Sequence, residues 1–125
     1  MKTPARVALI TGGDSGIGFG IAEKFAADGF RVAICGVDRK KGARAVARLQ
    51  CAQQEAVYFI ADVRQENQLR QLVWQMVRRF GRLDVLCNNA GIQKLATIEN
   101  TPSSLWDDVM SVNARSFSLY PIRLT

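Results

Sequence analysis

The stretch that most restricts what this chain can become runs from Arg6 to Gly29: a short apolar run, a glycine-rich turn, then a helix. After Arg6, the residues Val7-Ala8-Leu9-Ile10 are apolar at every position rather than at alternate ones. That is the pattern of a strand covered on both faces of a parallel sheet. Thr11 and Gly12 end the run, and Gly13-Asp14-Ser15-Gly16-Ile17-Gly18 turns the chain into a helix. Ile17, Ile21, Ala22 and Phe25 are expected on its buried face, with Asp28-Gly29 stopping it.

A strand-turn-helix unit of this kind points the first backbone N–H groups of the helix at whatever lies above the strand. A pyrophosphate there meets unpaired donors and the positive end of the macrodipole, worth about 0.3–2 kcal/mol for the dipole alone. Glycine suits the turn because a Cβ would hold the phosphates away or forbid the backbone angles. Gly12, Gly16 and Gly18 are spaced G-x-x-x-G-x-G. This is neither G-x-G-x-x-G nor G-x-x-x-x-G-K-[ST], since Phe19 follows Gly18 where the latter needs lysine. Taken alone, the glycines are equally consistent with a turn that only lets the helix pack on the strand.

The rest of the chain repeats the alternation. Arg31-Val32-Ala33-Ile34-Cys35 reads as a second strand ended by Gly36, and a helix is expected from Arg39 to Gln50 with Ala43, Val46, Ala47 and Leu49 inward. Ala56–Ala61 reads as a third strand, ending at Asp62-Val63. Leu69, Leu72, Val73, Met76, Val77 and Phe80 then form one apolar helical face, closed by Gly81. Leu83–Cys87 reads as a fourth strand leading into Asn88-Asn89-Ala90-Gly91. Thr101 and Pro102 look like the start of another helix, with Leu105, Trp106, Val109 and Met110 as its stripe. Strands and helices alternating with short connections give an α/β fold, a doubly wound parallel sheet with right-handed crossovers. The expected strand order is 3-2-1-4, with a cleft above strands 1 and 4.

Composition narrows the function. The chain has 125 residues, about one domain, and 48% hydrophobic against 22% charged residues, a balance typical of soluble globular proteins. No apolar run approaches the length of a signal peptide's core or a membrane span, so a cytoplasmic protein with no membrane partner is expected. Histidine is absent, which removes histidine-based triads and most zinc sites, and no metal site is expected. The three cysteines, Cys35, Cys51 and Cys87, have no metal spacing and read as reduced thiols. The net charge of +6 is spread along the chain without interleaved aromatics. Solvated helix faces with a mild attraction for anionic cofactors explain it better than nucleic-acid binding.

Thr11-Gly12-x-x-x-Gly16-Ile17-Gly18, Asp62-Val63, Asn88-Asn89-Ala90-Gly91 and Asn113, in this order, resemble the short-chain dehydrogenase/reductases from about Arg6 to Phe117. The resemblance implies a Rossmann-like NAD(P)-binding domain over residues 1–117 and hydride transfer between a nicotinamide and an alcohol or carbonyl carbon. It implies that Gly12, Gly16 and Gly18, with Asp14, Ser15 and Ile17 in the same turn, cradle the pyrophosphate. Asp62 and Val63 would border the adenine, and Asn89, Ala90 and Gly91 the adenosine side. Asn113 would support the proton relay as the only catalytic residue of the family matched here. The coenzyme is chosen at the end of strand 2, where an acid favours NAD and basic groups favour NADP. Gly36 removes the acid and Arg39 or Lys40 could meet a phosphate, although Asp14 and Asp38 would repel it, so the balance tips slightly to NADP.

The sequence departs from the family after Asn113. The family's Tyr-x-x-x-Lys pair and upstream serine are expected to be absent: Tyr58 is followed four residues on by Asp62, and Tyr120 by Leu124. Residues 118–125 form an atypical tail, in which Pro121 would break the helix that the family continues. The chain is therefore expected to be an incomplete, truncated fold, an N-terminal half lacking the C-terminal strands and inactive alone. A homo-oligomer or a complementing C-terminal half would be its protein partner. A non-catalytic dinucleotide-binding module or a non-functional product are the alternatives.

Overall fold

The computed structural model describes residues 5–50 and 55–90, together with 103, 104 and 107. The elements are β1 (Val7–Thr11), α1 (Gly16–Ala27), β2 (Arg31–Gly36), α2 (Arg39–Gln50), β3 (Ala56–Ile60), α3 (Glu66–Phe80) and β4 (Val85–Cys87). The strands form one parallel sheet in the order β3-β2-β1-β4. This is the order expected from the sequence. Ser103, Ser104 and Asp107 are helical and exposed, within the helix expected after Pro102. Gly91, Asn113 and the tail 118–125 lie outside the described residues.

Both faces of the sheet are covered, and this is why β1 is apolar at every position. Val7 and Leu9 face α3 with Ala33 and Cys35 of β2, packing against Leu69, Leu72, Met76 and Phe80. Ala8 and Ile10 face the other way with Val32 and Ile34, under Phe19, Ala22 and Ala26 of α1 and Ala45 and Leu49 of α2. Each large apolar side chain buried this way contributes about 1.5–3 kcal/mol relative to exposure. The expected face of α3 is confirmed at Leu69, Leu72, Met76 and Phe80, with Val73 half-buried; Val77 instead flanks the face and is exposed.

The helix ends follow from glycine. Gly29, at φ +90°, closes α1, with its N–H donating to the Ala26 carbonyl and the Phe30 N–H reaching the Phe25 carbonyl, each at 3.0 Å. The Phe25 and Phe30 rings then meet edge to face at 4.9 Å, the apolar clasp that accompanies such an ending. Gly81, at φ +73°, ends α3 in the same left-handed conformation.

Three expectations are corrected. Ile17 does not face the core: it is 79% exposed, and the inward positions of α1 are Gly18, Phe19, Ala22 and Ala26. Ala43 and Ala47 of α2 are likewise exposed, and Gly42, Ala45 and Leu49 are buried. In both helices a glycine makes the close approach: Gly18 against the Gly12 carbonyl and the Asn89 amide, Gly42 against the Tyr58 ring. That contact sets the rotation of the helix about its axis. Finally, β4 begins at Val85 rather than Leu83, because the Asp84 carboxylate accepts the Val7 N–H at 2.8 Å where a ladder carbonyl would otherwise stand.

The excess of basic residues is partly used in packing. Arg6 lies over the Phe30 ring at 4.4 Å, Arg48 over Phe19 at 4.2 Å, and Arg78 over Trp74 at 4.7 Å, so these side chains also cover apolar rings.

Candidate functional site

The carboxyl ends of the four strands surround a cleft of about 530 Å³. It extends from the ends of β2 and β3 across β1 to Asn89 and Ala90 after β4, and so reaches the point where the strand order reverses, the place where open α/β sheets bind ligands. Gly12, Asp14 and Ser15 reach it from the turn after β1, and Cys35, Gly36, Val37, Asp38 and Lys41 from β2 and the start of α2. Ala61, Asp62, Val63 and Arg64 follow β3, and Asn89 and Ala90 follow β4.

The floor is held by Thr11 and Asn89. The Thr11 hydroxyl, on a residue 1% exposed, accepts the N–H groups of Asn89 and Ala90, both at 3.0 Å. The Asn89 side-chain amide donates to the Thr11 carbonyl at 3.2 Å and to the Gly12 carbonyl at 3.3 Å. Gly12 also donates its N–H to the Cys35 carbonyl at 2.8 Å, tying the turn to β2. These bonds leave no room behind Gly18, where a Cβ would run into the Gly12 carbonyl and the Asn89 amide.

Above that floor the start of α1 is open. Among the described residues its cap, Ser15, makes no side-chain capping hydrogen bond, and the first turn carries no acid. Gly16 has φ +58°, and among the described residues nothing lies within 4 Å of where its Cβ would stand. Helix N–H groups without a side-chain acceptor, beside a glycine facing open space, fit a diphosphate.

The charged walls are organised by their own neighbours. Asp38 accepts the N–H groups of Lys40 at 2.9 Å and Lys41 at 3.1 Å, capping α2. These bonds, the one from Lys41 foremost, hold its carboxyl below the usual range. The Arg64 guanidinium donates to both oxygens of Asp62 and holds that carboxyl low as well. Burial, reinforced by the charge of Asp14, raises the Tyr58 hydroxyl well above an ordinary phenol.

A family model for short chain dehydrogenases matches residues 6–120. The chain belongs to that family. An uncharacterized oxidoreductase of Thermotoga maritima is 39% identical over 115 residues, covering 92% of this chain and 45% of the relative. An NAD+-bound xylitol dehydrogenase superposes with a TM-score of 0.88 at 30% identity, over 95% of this chain and 46% of that one. A blue fluorescent protein from a metagenomic library, in complex with NADPH, gives 0.85 at 31% identity, over 93% and 48%. The chain thus spans a little under half the length of these relatives.

Of the residues picked from this short-chain dehydrogenase sequence, Gly12, Asp14, Ser15, Gly36, Asp62, Val63, Asn89 and Ala90 come together around the cleft. Gly16 and Gly18 belong to the adjoining start of α1, and Ile17 projects from it into solvent. Arg39 lies elsewhere, in a shallower depression with Ala43, Val46 and Ala47. Lys41 and Arg64 also line the cleft, beyond the residues expected from the sequence. For Lys41 a signal existed: two residues beyond Arg39, in the first turn of α2, it occupies a different side of the helix.

Proposed function

We propose that this chain is the coenzyme-holding part of an NAD(P)-dependent oxidoreductase that moves hydride between a nicotinamide dinucleotide and an alcohol or carbonyl carbon. The observation that carries the proposal is the uncapped start of α1 beside Gly16, open where a diphosphate would rest. Gly12, Gly16 and Gly18 form the cradle, Asp62 and Val63 border the adenine, and Asn89, Ala90 and Gly91 complete the adenosine side. Asn113 is assigned to support the proton relay.

The bound coenzyme would supply the hydride; the protein must supply the proton. Tyr58 is unsuited to that task, because burial and Asp14 move its pKa away from neutrality rather than towards it. Neither Tyr58 nor Tyr120 has lysine four residues on, so no residue of this sequence is assigned as the proton-transfer pair. The same observation favours a second reading, a dinucleotide-binding module without chemistry. A turnover assay over a panel of carbonyl compounds, with and without a C-terminal half of the family added, separates the two.

Fluorescence titration of the chain with NADH and NADPH tests the shared core of both readings. Saturable binding is expected, and Gly16→Val should abolish it, by filling the space open there and by straining the backbone at φ +58°. Unchanged affinity in that variant would refute the placement of the diphosphate.

A further inference from the structure

The acid that the sequence lacks at Gly36 is present in space, delivered by another part of the chain. Asp14 sits in the turn after β1, half-buried, on the wall of the cleft. A Cβ placed on Gly36 would come within 2.5 Å of Asp14 Oδ2, so the Asp14 carboxylate fills the volume that a side chain at the end of β2 would take. Tyr58 holds it there. The phenolic hydroxyl lies 3.3 Å from Asp14 Oδ2 and 3.0 Å from the Asp38 carbonyl, one proton facing two acceptors. Gly42 packs against the ring and fixes its position from behind.

The neighbours leave Asp14 as the acid turned to the ligand. The Asp38 carboxylate is engaged by the N–H groups that cap α2. Lys41 is the cation of this wall, while Arg64, after β3, is bonded to Asp62.

We propose that Asp14 selects the coenzyme: its carboxylate accepts the 2′-hydroxyl of the adenosine ribose in place of an acid on β2, and so favours NAD(H) over NADP(H). This rests on the reading that the cleft holds a nicotinamide dinucleotide. A ribose hydroxyl donates to a carboxylate, a charge-assisted bond. A 2′-phosphate, carrying a charge of about −1.5 to −2, has little proton to donate at neutral pH and meets the carboxylate as a like charge. The expectation of NADP drew on the glycine at position 36 and on Arg39; the first is filled by Asp14, and the second lines a different depression.

The test is parallel fluorescence titration of the whole chain with NADH and NADPH at one salt concentration, in the unsubstituted protein and in Asp14→Asn. The asparagine can still accept from Tyr58, so the fold is retained, and circular dichroism checks this. NADH is expected to bind about tenfold or more tightly than NADPH, and Asp14→Asn to bring the ratio close to one. Competition with 2′-deoxy-NAD+ reads the hydroxyl directly: the unsubstituted chain should prefer NAD+, and Asp14→Asn should bind both alike. A merely structural role for Asp14 would weaken every coenzyme equally and leave these ratios intact. Equal or tighter binding of NADPH by the unsubstituted chain, or unchanged ratios in the variant, would overturn the assignment. Binding of neither coenzyme would overturn both this assignment and the coenzyme reading beneath it.

Discussion

Asn89 grips Thr11 twice, its backbone N–H donating to the Thr11 hydroxyl at 3.0 Å and its side-chain amide to the Thr11 carbonyl at 3.2 Å. The ends of β1 and β4 are joined by these bonds at the edge of the cleft. Side chains thus replace the ladder where regular pairing stops, and the cleft floor stays rigid without another strand residue.

Thr11→Val tests that arrangement. Valine keeps the shape and removes the hydroxyl, leaving the N–H groups of Asn89 and Ala90 without their acceptor. Each such donor left unsatisfied costs about 1–3 kcal/mol. Urea unfolding should show a loss of about 2 kcal/mol or more.

Glycine to alanine should have opposite signs at two positions of α1. At Gly18 the new methyl meets the Gly12 carbonyl and the Asn89 amide, and overpacking of this kind costs about 1–3 kcal/mol. At Gly20 none of the described residues lies within 4 Å, so the better helix propensity of alanine should stabilise by about 0.5–1 kcal/mol. Thermal melts of the two variants side by side check the contrast.

Alkaline pH should destabilise the fold through Cys35. Burial, with a smaller push from the charge of Asp14, raises its thiol from 9.0 to about 12. The folded state therefore keeps a proton that the unfolded chain releases sooner. The stabilisation is fully present below pH 9.0 and is lost as pH rises towards about 12. The thiol contributes at most about 1.4 kcal/mol per pH unit to the slope in that window, and the Tyr58 hydroxyl, raised from 10.0, adds its own contribution above pH 10.0. Cys35→Ala should flatten this part of the curve of urea midpoint against pH; an equally steep curve in that variant would exclude the thiol as its source.

Much of the fold was legible because apolar periodicity records burial directly. The unbroken run Val7–Ile10 announced a strand with two covered faces, and the spacing of Leu69, Leu72, Met76 and Phe80 announced α3. The rotations of α1 and α2 were not legible, for one shared reason. Their closest contacts with the rest of the fold are made by Gly18 and Gly42, which have no side chain to register in a hydrophobic pattern. Apolar character alone places Ile17, Ala43 and Ala47 inward. The lining of the cleft was legible where it is contiguous, in the glycine turn and at Asp62-Val63 and Asn89-Ala90. Where it depends on proximity across the sheet, as with Asp14 beside Gly36, only folding reveals it.

Tyr58 spans from the inner surface of α2 to the mouth of the cleft, its ring on Gly42 and its hydroxyl between Asp14 and the Asp38 carbonyl. A bulkier residue at position 42 would have to push this ring aside, and the hydroxyl would travel with it. On the assignment of Asp14 proposed above, coenzyme preference would then drift through a substitution on the inner face of α2, at a residue outside the cleft lining, and an engineer wishing to retune it would have a lever away from the pocket.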